Sequence, residues 1–372
     1  MIRIYSHQAQ AESWLANFQE RPVIFACGLG FTATALVPNI SAAGATPESR
    51  QYTAIADAEF VQRGFSPTAT YPLPALTVGA SPAILSRAIL QTYDIPCYLF
   101  NTGLAIAPDI NALKLIETGG QAAQCVSTGQ ALPLGVVQNL FTEGMDWGEQ
   151  FLRQHPGRSP VLGECVVAGT TTALAVLTGL GYDAQGKVNS SHLQCNHGLK
   201  WDIVQRGLAQ AKLLDPSLKV DPLAIVAAVG DPMQPFIAGM AIAMSRQQTV
   251  LLAGGTQMLA VYALLRAIAQ YHALDFQAAN IAVGTTRWVA EDPSGDTPGL
   301  ANLIGDVPLL ATQLNLAHSQ YPQLRAYEAG YVKEGVGLGG LAIAASLAYS
   351  ATQNELLNNI EKTFTPYYQH QF

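Results

Sequence analysis

Charge is what this sequence has least of. Lys, Arg, Asp and Glu make up 12% of its 372 residues, about half the share of roughly 25% usual in a globular domain, while apolar residues reach 49%. That balance excludes a disordered chain. It also leaves little polar surface, so we expect a large core and a homodimer that covers part of the remainder. Basic runs are missing as well. The 19 Lys and Arg residues stand against 26 Asp and Glu, a net charge of −7, and no stretch is suited to neutralising a row of phosphates. Nucleic acid is therefore not an expected partner. Paired cysteines are absent too: Cys27, Cys97, Cys125, Cys165 and Cys195 are odd in number, scattered, and never in a CxxC pair. They read as reduced thiols rather than a disulfide framework. The opening MIRIYSHQAQAESWL has neither a basic n-region nor an apolar run, so no signal peptide is expected and the cytoplasm is the expected location. Two weakly charged stretches, residues 159–182 and 222–245, are long enough to cross a bilayer. Glu164 and Gly169 to Thr172 interrupt the first, and Asp231, Pro232 and Pro235 the second, so no membrane partner is expected.

What is present is a recurring unit: a short apolar run, a glycine-rich turn, then an amphipathic helix. The runs are PVIFACG (22–28), IPCYLFNTG (95–103), the start of SPVLGECVVAGTTTALAVLTGLG (159–181), DPLAIVAAVGD (221–231) and QTVLLAGG (248–255). NIAVGTTRWV (280–289) adds a sixth strand before the turn-rich EDPSGDTPG. Ser81 followed by Pro82 is a cap and first-turn pair for a helix over SPAILSRAILQTY. The pattern predicts an α/β fold, a Rossmann-like parallel sheet with helical crossovers, plus a small helical part built from the chain ends. We expect residues 21–335 to form a nucleotide-binding α/β domain with the active site, and 1–20 with 336–372 the helical portion packed on it. Residues 335–363 read as one long closing helix entered through a glycine elbow, and residues 31–77 have too little periodicity to assign.

In open α/β sheets ligands collect at the carboxyl ends of strands, so the glycine-rich turns are where chemistry is sought. Glu164, Gly169, Thr170, Thr171 and Thr172 lie between an apolar strand and an apolar helix. Free amides and the positive end of a helix dipole would hold a phosphate there, although the same residues also read as ordinary capping. The turn is neither a Walker loop nor GxGxxG, so no purine triphosphate or dinucleotide is implied. Glu334, next to Lys333 and followed by Gly335 and Gly337, has the setting of a general base or of a helix first-turn acid. Lys200 would offer a positive charge to a phosphate, or be solvated. Gly254, Gly255 and Thr256, and Thr285, Thr286 and Arg287, repeat the strand-to-helix arrangement and are possible second-loop contacts. Asp231 reads as a helix cap. His192, Cys195 and His197 have ligand-like types, but the fourth ligand a structural zinc needs is not evident, so no metal is assigned.

These residues occur in the order of a known family. GECVVAGTTTALAVLTGLG resembles the GEMGIGNTTxAAAL segment of nicotinate-nucleotide:dimethylbenzimidazole phosphoribosyltransferases. LKWDIVQRGL resembles the family's RKIxVVxRAL, VGDPMQPFIAGM its VGGFxIAGMAG, VKEGVGLGGLA its RLGEGTGAxLA, and RPVIFACGLG a degenerate form of its strand ending in ADHG. The resemblance implies transfer of the 5-phosphoribosyl group of nicotinate mononucleotide to a benzimidazole-like or purine base, giving an α-ribotide and free nicotinate, with no cofactor. It puts Glu334 at the family's general base, Glu164 at its supporting glutamate, Gly169 to Thr172 and Lys200 at the phosphate, and Gly335 and Gly337 after the base. The departures mark a divergent branch: Cys27 stands where the family has Asp, Gly-Thr-Thr replaces Gly-Asn-Thr, and SHLQCNH precedes Lys200. The altered first motif also suits a non-catalytic nucleotide-binding homologue of the same fold.

Overall fold

The computed structural model describes residues 1–74, 76, 78–215 and 219–371. Phe372, the last residue of the carboxy-terminal portion assigned above, and Ala75 and Thr77, in the unassigned stretch, lie outside the described residues. Eight strands form one sheet: β1 (Ile2–Ile4), β2 (Val23–Gly30), β3 (Cys97–Gly103), β4 (Ile116–Glu117), β5 (Ser159–Cys165), β6 (Val250–Ala253), β7 (Ile281–Thr286) and β8 (Leu309–Thr312). Their order is β1-β8-β7-β6-β5-β2-β3-β4, parallel throughout except that β1 runs antiparallel to β8. Strands β2, β5, β6, β7 and β8 are buried residue by residue, as continuous apolar runs in a parallel sheet covered on both faces must be.

One face is covered by helices that include Leu134–Gln154, Gly169–Gly179, His197–Gln210, Met233–Ser245 and Thr256–His272. The other carries Gln8–Phe18, Thr53–Arg63, Pro82–Thr92, Leu338–Ala348 and Gln353–Gln371. The chain leaves β2 toward β3 and β4 in one direction, and from β5 toward β6, β7 and β8 in the other. The topological switch therefore falls between β2 and β5, where Gly28 pairs with Glu164. Ligands in open α/β sheets bind at such a point. Ser81 Oγ accepts from Ala83 N at 3.2 Å with Pro82 next to it, as the cap reading expects.

Three expectations need correction. DPLAIVAAVGD is not a strand: Pro222–Val229 is a helix, started by Asp221 Oδ1 accepting from Leu223 N at 2.9 Å. Short apolar runs have no distinguishing period, and the Asp-Pro cap decides the matter. The closing helix is two helices, Leu338–Ala348 and Gln353–Gln371, parted at Ser350 with φ of 55°. Thr352 and Glu355 then restart the chain as a reciprocal capping box. IRI, within the residues 1–20 expected to belong to the helical portion, is instead the edge strand β1, held by pairing with β8, and the runs IE and LLAT, assigned to nothing from sequence, are the strands β4 and β8.

Candidate functional site

A cavity of about 570 Å³ opens beside the switch point, lined by the carboxyl end of β5, the turn after β6 and residues 331–335. Glu164, Gly169, Thr170, Thr256, Glu334 and Gly335 line it. Thr171, Thr172, Gly255, Gly337, Thr285, Thr286 and Lys200 do not. Thr172 is fully buried and donates to Asp231 Oδ2 at 2.5 Å, while Asp231 Oδ1 accepts from Met233 N and Gln234 N as a cap. Gly169 N and Thr171 N donate within their own bend, to Val166 O at 3.0 Å and Ala168 O at 2.8 Å. Those two amides are spent before any anion arrives. Lys200 is also fully buried, and its Nζ donates to Val188 O at 2.8 Å and Asn189 O at 2.6 Å. It braces the loop behind the cavity instead of facing into it.

Glu164 and Glu334 both touch the cavity, but in different surroundings. Glu164 Oε2 accepts from Val166 N at 3.1 Å. Burial pushes its carboxyl up to about 8 against a counteracting hydrogen bond from Gln257, with the charges of Asp231 and Glu334 adding to the rise. Glycines stand close around it: a Cβ on Gly254 would lie 3.2 Å from Glu164 Oε1, and one on Gly169 would lie 2.5 Å from the Gln257 amide, which would have to move. Glu334 is half-buried, open to the cavity but withdrawn from bulk water. Its Oε2 accepts from Thr285 Oγ1 and Thr286 N, each at 3.0 Å, and its Oε1 from Gly335 N and Gly339 N, each at 3.1 Å. Burial raises its carboxyl to about 7, and those four donors limit the rise. Thr285 and Thr286 thus act on the site through Glu334.

Two participants, Asp57 and Asp292, were not found from sequence. Asp57, from the helix in the unassigned stretch, lines the cavity while only 5% exposed. Its Oδ1 accepts from Ser81 Oγ at 2.7 Å and its Oδ2 from Cys165 Sγ at 3.4 Å, and burial pushes it up to about 6. Its signal was available: an acid in AIADAEFV, a segment otherwise almost all alanine and apolar. Lys333 donates from Nζ to Asp292 Oδ2 at 2.5 Å and to His192 O at 2.8 Å. Burial would raise Asp292, but the hydrogen bonds from Lys333, Ser294 and Asn189 hold it below the usual carboxylate value. Among the described residues lining the cavity, Lys333 is the one Lys or Arg side chain, and its charge is already paired.

The backbone here is strained: Val332, Lys333 and Val336 have φ of 66°, 32° and 51°, and Ala168 has 66°. Left-handed valines are genuine outliers, and such outliers cluster at sites whose geometry the surroundings impose. His192, Cys195 and His197 form no metal centre. Cys195 N donates to Ser294 Oγ at 3.1 Å and His197 Nε2 meets Ser294 O at 2.5 Å, which stitches their loop to residues 292–294. Among the described residues no group of three or more His, Cys, Asp or Glu is placed to hold a metal ion. Nor is any described helix long and apolar enough to cross a membrane.

The chain is similar to known proteins along its whole length. It is 68% identical over 367 residues to a UPF0284 protein of Picosynechococcus sp., covering 99% of both chains. It is 57% identical to one of Rippkaea orientalis, covering 97% of both, and 58% identical to one of Cyanothece sp., covering 99% of this chain and 98% of the other. No family model matches. Its fold is that of nicotinate-nucleotide-dimethylbenzimidazole phosphoribosyltransferase from Thermus thermophilus: the TM-score is 0.58 at 16% identity, over 94% of this chain and 93% of that one. A second Thermus thermophilus structure, titled CobT, gives 0.56 at 16% identity over 93% and 97%. At that identity the likeness concerns the fold, and the resemblance read from the motifs holds at that level.

Proposed function

The chain belongs to the UPF0284 family, and from its fold and its cavity we propose that it is a phosphoribosyltransferase, moving the 5-phosphoribosyl group of nicotinate mononucleotide to an aromatic nitrogen base. The observation that carries the reading is the cavity at the switch point, where the Gly169 bend and three carboxylates, Asp57, Glu164 and Glu334, meet in one space. Nicotinate mononucleotide already holds a cationic pyridinium leaving group. The protein has only to seat the phosphate, align an azole nitrogen with the anomeric carbon and accept the azole proton. Back-side attack then turns the β-nucleotide into an α-riboside. Glu164, mostly protonated at pH 7, would offer a hydrogen bond to a phosphoryl or ribose oxygen where a carboxylate would repel the phosphate. Glu334, fixed by four donors, would face the positive charge growing on the ribose.

One observation favours the alternative, a nucleotide-binding protein without transfer activity: Lys200 and Lys333 are both committed, so the phosphate has no free cation among the described residues of this cavity. One assay separates the two. The protein is incubated with nicotinate mononucleotide and a panel of benzimidazoles and purines, and free nicotinate and α-ribotide are followed. The transferase releases nicotinate only with an acceptor present, whereas binding without release leaves the second reading.

A further inference from the structure

The transfer needs a carboxylate with an unfilled lone pair beside the acceptor. A carboxylate offers about four acceptor positions. Those of Glu334 are filled by Thr285 Oγ1, Thr286 N, Gly335 N and Gly339 N. Taking a proton would require it to drop one of these bonds inside the fold. Asp57 is different: among the described residues it accepts only from Ser81 Oγ and, at 3.4 Å, from the weak donor Cys165 Sγ.

Two contacts place Asp57 on the Glu334 side of the cavity. Pro82, next to its partner Ser81, lies where a Cβ on Gly335 would meet it at 3.1 Å. The buried Tyr327 donates to Ala80 O at 2.8 Å and feels the charges of both Glu334 and Asp57. The cavity's lining also includes the apolar Pro74, Val78 and Val332, and Val332 lies where a Cβ on Gly79, next to Ala80, would meet it; such a lining suits the flat face of an aromatic base. We infer that Asp57 is the group that takes the acceptor's N–H proton, while Glu334, in its ionised form, stabilises the ribosyl cation.

The step balances. The acceptor's unprotonated ring nitrogen forms a bond to the anomeric carbon, and the bond from that carbon to nicotinate breaks with its electron pair going to the pyridine nitrogen. The N–H of the acceptor gives its proton to Asp57, which passes it to water after product leaves. The groups whose charges act with that of Asp57 are the Cys27 and Cys165 thiols and the Tyr327 and Tyr367 phenols. Burial raises all four, so they are neutral near pH 7, while Glu334 and Glu164 in the same cavity titrate higher than Asp57, near 7 and 8.

This inference rests on the transferase reading, and wild-type nicotinate release tests that reading first; no release sinks both. With release established, Asp57→Asn and Glu334→Gln are compared across pH 5 to 9, with nicotinate mononucleotide binding measured on each. The expected result is that Asp57→Asn binds the nucleotide and turns over about 10² to 10⁴ times more slowly at every pH, keeping the acidic limb set by Glu334, which lies near 7. Glu334→Gln is also slower, but its acidic limb moves down toward the value of Asp57, about 6. If Asp57→Asn does not bind the nucleotide, Asp57→Glu is read instead in the Glu334→Gln background, and a displaced acidic limb supports the assignment. A limb that stays near 7 in Glu334→Gln, or stays in place when Asp57→Glu is added to it, overturns the assignment, as does a turnover of Asp57→Asn within a few-fold of wild type.

Discussion

At the scale of single residues, the carboxylate of Glu334 is as much a structural knot as a chemical group. It joins β7, through Thr285 and Thr286, to the entrance of the Leu338–Ala348 helix, through Gly335 and Gly339. In Glu334→Gln one oxygen becomes an NH₂; turned toward β7 it can donate to Thr285 Oγ1 but leaves Thr286 N without its acceptor, at a cost of about 1 to 3 kcal/mol. We expect a clearly lower urea midpoint with an unchanged slope; an unaltered midpoint would show that the knot carries no stability. That Glu164 and Glu334 line the cavity was readable, because each stands at a strand or loop end beside a glycine, where a ligand or a close neighbour explains the missing side chain. Lys200 was not readable: its burial depends on carbonyls of Val188 and Asn189 in a loop whose path no local pattern describes. Nor was the left-handed backbone at Val332 and Val336, since valine favours extended chain.

At the scale of elements, the tightest helix pair sits behind the sheet. Leu134–Gln154 and Met233–Ser245 touch backbone to backbone, and a Cβ on Gly144 would stand 2.1 Å from Phe236 O, while one on Gly239 would stand 2.4 Å from Phe141 O. Gly144→Ala therefore has to push the helices apart, and we expect a loss of about 2 to 4 kcal/mol in chemical denaturation. Gly135, exposed at the start of the first helix with nothing within 4 Å, is the control. Gly135→Ala should gain up to about 1 kcal/mol through helix propensity alone. Equal effects from the two substitutions would refute close packing as the role of Gly144. The legible elements were those with a period or a cap, such as β2, β5 and the Ser81-Pro82 helix. Strands of two to four residues, such as β1, β4 and β8, are too short to show alternation and are made by their neighbours in the sheet. The break at Ser350 was missed because the apolar pattern runs on, although Thr352 and Glu355 spell the new start.

At the scale of the whole molecule, the site destabilises the fold in a pH-dependent way. Burial holds Asp57 and Asp231 near 6, Glu334 near 7 and Glu164 near 8, against about 3.9 to 4.3 in the unfolded chain. Each raised acid keeps its proton in the folded state after the unfolded state has lost it. Its stabilisation is complete below the unfolded value and disappears as pH rises through the folded one. His155 and His192, lowered by burial, work the other way below about 6.5. Lys200, lowered by burial to about 8, makes its contribution above that pH. Between pH 6.5 and 8 the carboxyls of Glu164 and Glu334 therefore dominate, and the urea midpoint of the ligand-free protein should fall steadily across that interval. Glu164→Gln, neutral at every pH, should remove most of the upper part of the fall. A decline unchanged in that variant would mean that Glu164 is not the group kept protonated. Nicotinate mononucleotide at 100 times its dissociation constant should add about 2.7 kcal/mol throughout. Because its phosphate is accommodated best while Glu164 is neutral, the gain at a fixed lower concentration should shrink from pH 6.5 to 8, faster in wild type than in Glu164→Gln.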